Sequence, residues 1–123
     1  MRSPGELKAF QLADGLIFAV YGATSGFPVE ERYALTSQIR RAVVSISSNL
    51  AEGCSRSSQA DFARFVEIAL GSAMELRHQL SVARRLGFGQ AETLQSLEAR
   101  VDELGRMLNG LGKALRNPSG AKT

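Results

Sequence analysis

An all-α fold, an antiparallel four-helix bundle running up-down-up-down, is what this sequence predicts, and three observations carry that reading. Apolar residues recur at spacings of three and four in four separate segments. The segments are divided by short stretches marked with Gly, Pro and Ser. No alternating period-two pattern competes with them. Four helices of this length joined by short turns close into a bundle. At 123 residues the chain supports one domain, read as residues 1–117 with a flexible tail over 118–123.

The first helix is expected over residues 8–23. Phe10, Ala13, Ile17 and Val20 form one stripe, and Leu12, Leu16 and Ala19 widen it, as suits a helix touching two neighbours. Gly22, Gly26 and Pro28 then punctuate the chain, and Phe27 is placed to plug the turn. The second helix is expected over 30–53, opened by Glu30 and Glu31 at the positive end of its dipole and ended near Gly53. Between Tyr33 and Glu52 it carries only Arg40, Arg41 and Glu52 as formal charges, too few for an ordinary water-facing helix. Leu35, Ile39, Val43, Ile46 and Leu50 make its apolar stripe; the opposite arc of Ser37, Gln38, Arg41, Ser45, Ser48, Asn49 and Glu52 suits a second packing partner.

The third helix is expected over 58–87, capped by Ser57 or Ser58 and stopped by Gly87 and Gly89. Phe62, Phe65, Ala69, Ser72, Leu76, Leu80 and Ala83 share a face, and Val66, Leu70 and Met74 form a second apolar patch. The adjacent Gly71 and Ser72 would let another backbone approach. The fourth, over 91–115, repeats Leu94, Leu97, Val101, Leu104, Leu108, Leu111 and Leu115 without a fault, the seam of shallow-angle bundle packing. Surplus apolar and uncharged surface on the second and third helices indicates that the bundle is not alone.

Hydrophobic content of 44% with 22% charged residues is globular composition. The one cysteine, Cys54, has no internal partner; with no signal-like start and no membrane-length apolar run, the expectation is a reduced, soluble cytoplasmic protein without membrane contact. The formal charge is +3, and twelve of the fifteen basic residues are arginine, whose planar fork suits phosphate or carboxylate.

Catalytic chemistry is not visible. Glu75 and His78 match the Glu-x-x-His spacing of dinuclear carboxylate bundles, but a second pair is required and the chain has one histidine, so the motif is half a site. Cys54 sits at a helix end whose dipole opposes a thiolate, and no P-loop, dinucleotide fingerprint or nucleophile elbow is present. The expectation is a non-enzyme with no cofactor, no metal and no catalytic residue. Two polar groups remain. Arg41, Asn49, Glu52, Arg56, Arg64, Glu67 and Glu75 read as a structural network of mutually paired polar and charged groups around the second and third helices, the functional alternative being that some of these arginines stay available to phosphate. Arg40, Arg77, Arg84, Arg85, Arg106 and Arg116 read as an exposed basic surface for nucleic-acid phosphate, with Arg77 and Arg84 on one helix face and no aromatic stacking platform beside them.

The run FPVEERYALTSQIRRAVVSISSNLAEG, followed by Arg56 and FARFVEIALGSAMEL, resembles the 23S rRNA intervening-sequence proteins, or S23 proteins. The matching positions are Phe27, Pro28, Glu31, Leu35, Thr36, Gln38, Arg40, Arg41, Ala42, Ser45, Ile46, Asn49, Ala51, Glu52 and Gly53, then Ala69, Gly71, Ser72, Glu75 and Leu76. Ser47 stands where that family often has proline, which predicts a more regular second helix, and the tryptophan common in the first helix is missing. The resemblance implies a four-helix bundle assembling as a ring, a homopentamer, and proximity to nucleic acid. It also implies kinship with the accessory proteins of diversity-generating retroelements, which form basic pentameric barrels that bind nucleic acid and a reverse transcriptase. The functional expectation is a non-enzymatic, homo-oligomeric RNA- or DNA-binding accessory protein; the alternative is an oligomeric scaffold for a protein partner, without nucleic-acid contact.

Overall fold

A computed structural model describes residues 7–117, and the tail read at 118–123 lies outside them. Four α-helices, α1 (Lys8–Thr24), α2 (Leu35–Cys54), α3 (Gln59–Arg85) and α4 (Ala91–Arg116), make up the fold, with a single 3-10 turn at Val29–Glu31 and no strand among the described residues. α2 packs on α3, α3 on α4, and α1 closes the set against both α2 and α4, consistent with a four-helix bundle.

The apolar stripes account for this packing. Leu16 and Val20 of α1, Ile39, Val43, Ile46 and Leu50 of α2, Phe62, Leu76 and Leu80 of α3, and Leu94, Leu104 and Leu108 of α4 are sealed from solvent in one core. Each large aliphatic side chain so buried stabilises the fold by about 1.5–3 kcal/mol before chain entropy is set against it. The seam of α4 is buried through Leu108, while Leu111 and Leu115 are half-buried at its end.

Local chemistry sets the helix ends. Ser58 Oγ accepts the Asp61 N–H at 3.1 Å and caps α3. Gly87 and Gly89 hold φ of 82° and 66°, left-handed backbone that glycine adopts without strain, and turn the chain into α4. Phe27 plugs the α1–α2 connection, its ring centroid 5.8 Å from that of Phe88. A Cβ on Gly89 would lie 2.8 Å from the Phe27 ring, so this turn needs glycine for space as well as for φ.

Two expectations are corrected. α2 begins at Leu35, not at Glu30: the acidic pair lies in the 3-10 turn, and Ala34, at φ −122° and ψ −108°, separates that turn from the helix. Glu31 still serves α2, because its Oε1 accepts the Leu35 N–H at 3.3 Å. α2 ends at Cys54, one residue past Gly53, and Gly53 also permits close approach, since a Cβ there would lie 2.7 Å from Phe62 Cδ1 and 3.0 Å from Phe65 Cβ. Val66 is core rather than outer patch, 1% exposed, while Leu70 is half-buried and Met74 is 67% exposed. α2 runs unbroken through Ser47.

Candidate functional site

Polar chemistry concentrates along α3 and what it faces. On the α4 side, Glu98 follows Leu97 of the apolar seam and is carried into the interface, only 4% exposed. A carboxylate this deep requires cationic partners. Arg77 and Arg84 supply them from two turns of α3 seven residues apart. Arg77 Nη1 donates to Glu98 Oε1 at 2.8 Å, and Arg84 Nε and Nη2 donate to Oε2 and Oε1 at 2.7 and 3.2 Å, a bidentate fork. Arg77 Nε also reaches Asp102 Oδ1 at 2.9 Å. The hydrogen bond to Glu98 raises the Arg84 pKa above its ordinary value; burial opposes this and Coulomb attraction reinforces it.

The expected basic surface is thereby divided. Arg77 and Arg84 do share a face, but their guanidinia close on Glu98 instead of standing free. Arg116 pairs with Glu67 at 2.6 Å. Arg85 is exposed and bonds only its own helix, at the Ser81 carbonyl and hydroxyl. Arg106 is exposed with no carboxylate partner among the described residues, and Arg32, Arg41 and Arg100 share that condition. Arg40 is half-buried against α1: its Nε donates to Thr24 Oγ1 at 3.0 Å, its Nη2 to the Tyr21 carbonyl at 3.2 Å, and its guanidinium lies 4.4 Å from the Tyr21 ring centroid.

The expected structural network resolves into separate short pieces. Glu52 pairs with Arg56 at 2.8 Å within one helical end, and Arg64 approaches Asp61 at 3.9 Å. The guanidinia of Arg56 and Arg64 both lie 4.8 Å from the Phe65 ring centroid. Asn49 Nδ2 donates to the Ser45 carbonyl and hydroxyl at 2.8 and 3.0 Å, and the Ser45 and Ser72 hydroxyls bond across the α2–α3 seam at 2.8 Å. Arg41 and Glu75 are exposed and stand outside these pieces. Sequence reasoning missed Glu98 and the aromatic supports. The seven-residue spacing of Arg77 and Arg84, together with an acid, Glu98, directly after Leu97 of the α4 seam, was the available signal for the first; nothing in the spacing marked Tyr21 or Phe65 as platforms.

Glu75 and His78 are both exposed, and no group of three metal-ligating side chains gathers among the described residues. A groove of about 590 Å³ runs between α3 and α4, with Leu70, Met74 and Val101 as apolar lining and Arg77, Asp102 and Arg106 as polar lining. On the outer surface Ile68 and Met74 of α3 and Val44 of α2 are exposed apolar side chains, and a Cβ on Gly71 would meet nothing within 4 Å. Among the described residues no helix is long and apolar enough to cross a membrane.

No curated protein matches the chain. Among solved structures it is similar to a protein of unknown function from the S23 ribosomal protein family of Bacteroides thetaiotaomicron VPI-5482. The two are 24% identical, with a TM-score of 0.77 over 85% of this chain and 98% of that one. That likeness concerns the fold. The model of the family described as 23S rRNA-intervening sequence protein matches residues 5–110. With α1 to α3, the turns, most of α4 and every motif residue inside that match, this chain belongs to the 23S rRNA-intervening sequence protein family.

Proposed function

We propose that this chain is a non-enzymatic accessory protein of the cytoplasm, an up-down-up-down bundle that assembles with copies of itself into a ring and contacts RNA or DNA phosphates through exposed arginines. The observation that carries the reading is the set of arginines without a carboxylate: Arg41, Arg85 and Arg106, with Arg32 and Arg100. Arg77, Arg84 and Arg116 are engaged by acidic partners and contribute less to a phosphate surface than the unpaired group. The family's description, 23S rRNA-intervening sequence protein, is in keeping with the reading, and a homopentameric ring and kinship with retroelement accessory proteins belong to the same proposal. Such contacts give affinity with little sequence preference and strong salt dependence. Fluorescence anisotropy with labelled RNA and DNA over a salt series is the test: absence of binding at low salt sinks the proposal.

A second reading, an oligomeric scaffold for a protein partner, is favoured by the exposed Val44, Ile68 and Met74 beside the open Gly71. Affinity purification separates the two. A stoichiometric protein partner that survives nuclease treatment supports the scaffold, and loss of every partner supports the nucleic-acid reading.

A further inference from the structure

The connection between α1 and α2 contains a small pocket that shares only Arg32 with the arginine surface. Thr24, Ser25, Phe27, Pro28, Val29, Arg32, Thr36 and Arg40 line a cavity of about 270 Å³. Two guanidinium residues and three hydroxyl residues line it, and no carboxylate does. The nearest acids in sequence are Glu30 and Glu31, neither of which is a lining residue, and Glu31 is turned to the Leu35 N–H.

One side chain here lacks what a buried polar group requires. Thr36 is 7% exposed, and its Oγ1 is sealed from solvent with no hydrogen-bond partner. Native folds rarely leave such a group unmet without a reason. Thr36 lines the pocket, so a turn about χ1 would bring its hydroxyl to an occupant. Arg40 is already fixed: the bonds to Thr24 and Tyr21 use two of its five N–H groups, and the Tyr21 ring supports its plane. The rest stay available to an acceptor. Arg32 is exposed and has no carboxylate partner among the described residues, leaving its fork for the same acceptor.

We infer that this pocket binds a phosphate-type oxyanion, held by Arg32, Arg40 and the Thr36 hydroxyl. An oxyanion with several acceptor oxygens meets all three donors at once, whereas a water molecule would meet Thr36 and leave the two positive charges uncompensated. The site does not depend on whether the wider surface takes nucleic acid, because inorganic phosphate alone tests it.

The experiment titrates inorganic phosphate into the ¹⁵N-labelled full chain at constant ionic strength, with chloride as the control anion, and follows the Thr36 amide and the Arg40 Nε–H by NMR. Saturable shifts are expected with phosphate and not with chloride. Thr36→Val and Arg32→Gln should each weaken binding at least about tenfold, while Thr36→Ser, which keeps the hydroxyl, should retain it. Native spectra of the free variants establish that they fold. No phosphate-specific shift, or equal shifts in the wild type and both weakened variants, overturns the inference. A short oligonucleotide added to the phosphate complex identifies the source: displacement of phosphate supports the site as one for a nucleic-acid phosphate, and persistence supports it as one for a free phosphate or phosphomonoester.

Discussion

Replacing Gly53 with alanine should destabilise the protein, whereas the same exchange at Gly110 should stabilise it. Both glycines lie in helices, where alanine is favoured by about 0.8–1 kcal/mol. At Gly110 nothing lies within 4 Å of a new Cβ, so most of that gain should appear. At Gly53 the new methyl would stand 2.7 Å from Phe62 Cδ1, 3.2 Å from Phe62 Cε1 and 3.0 Å from Phe65 Cβ. Phe62 is 1% exposed and cannot swing into solvent, and a Cβ moves only with its backbone. Overpacking of this kind costs about 1–3 kcal/mol, so after the propensity gain a net loss of about 1 kcal/mol or somewhat more is expected. For a chain of this length that lowers Tm by about 3–6 °C per kcal/mol. Thermal unfolding by circular dichroism at one fixed protein concentration measures it, since self-association would otherwise move Tm. Phe62→Leu provides the internal check: the added methyl should cost less in that background, a coupling a double-mutant cycle reads directly. A rise in Tm for Gly53→Ala, or equal shifts at the two glycines, would refute the argument from close packing.

Glu98→Gln should lower Tm and the loss should largely persist in high salt, because the carboxylate itself is buried against two half-exposed arginines; Glu67→Gln, which removes the exposed partner of Arg116, should change Tm little, as melting both over a salt series will show. If exposed arginines bind phosphates, Arg106→Gln and Arg85→Gln should each reduce the slope of log affinity against log salt by about 0.7–0.9 for every phosphate no longer neutralised, read by anisotropy. If the outer surface of α3 is an inter-subunit contact, Gly71→Arg should reduce the particle mass measured by light scattering without loss of helicity; unchanged mass places the subunit contact elsewhere.

What the sequence made legible were features decided by near neighbours. The run from Leu94 to Leu108 announces a buried seam because each member is three or four residues from the next, and Ser58 caps α3 three residues from its donor. Phe27 could be placed because proline and glycine isolate it. The break at Ala34 could not, since Arg32, Tyr33 and Ala34 all tolerate a helix and none of them is a helix breaker. The role of Gly53 depends on Phe62, which belongs to the next helix. Glu98 is the sharpest case in the candidate site. Along α4 it is one acid among several, and only the register between α3 and α4 turns it into the counter-charge of two arginines read as exposed.

Cys54 gains a practical meaning from its position. It is the chain's single cysteine, 1% exposed, next to the glycine that α3 presses against. A thiol reagent can reach it only when the end of α2 lifts from the core. When reclosing outpaces chemistry, the labelling rate divided by that of an exposed thiol gives the equilibrium constant for opening. The native chain thus contains its own stopwatch for breathing at the α2–α3 junction, one that needs no engineered probe and that should tick more slowly whenever a bound molecule clamps that junction shut.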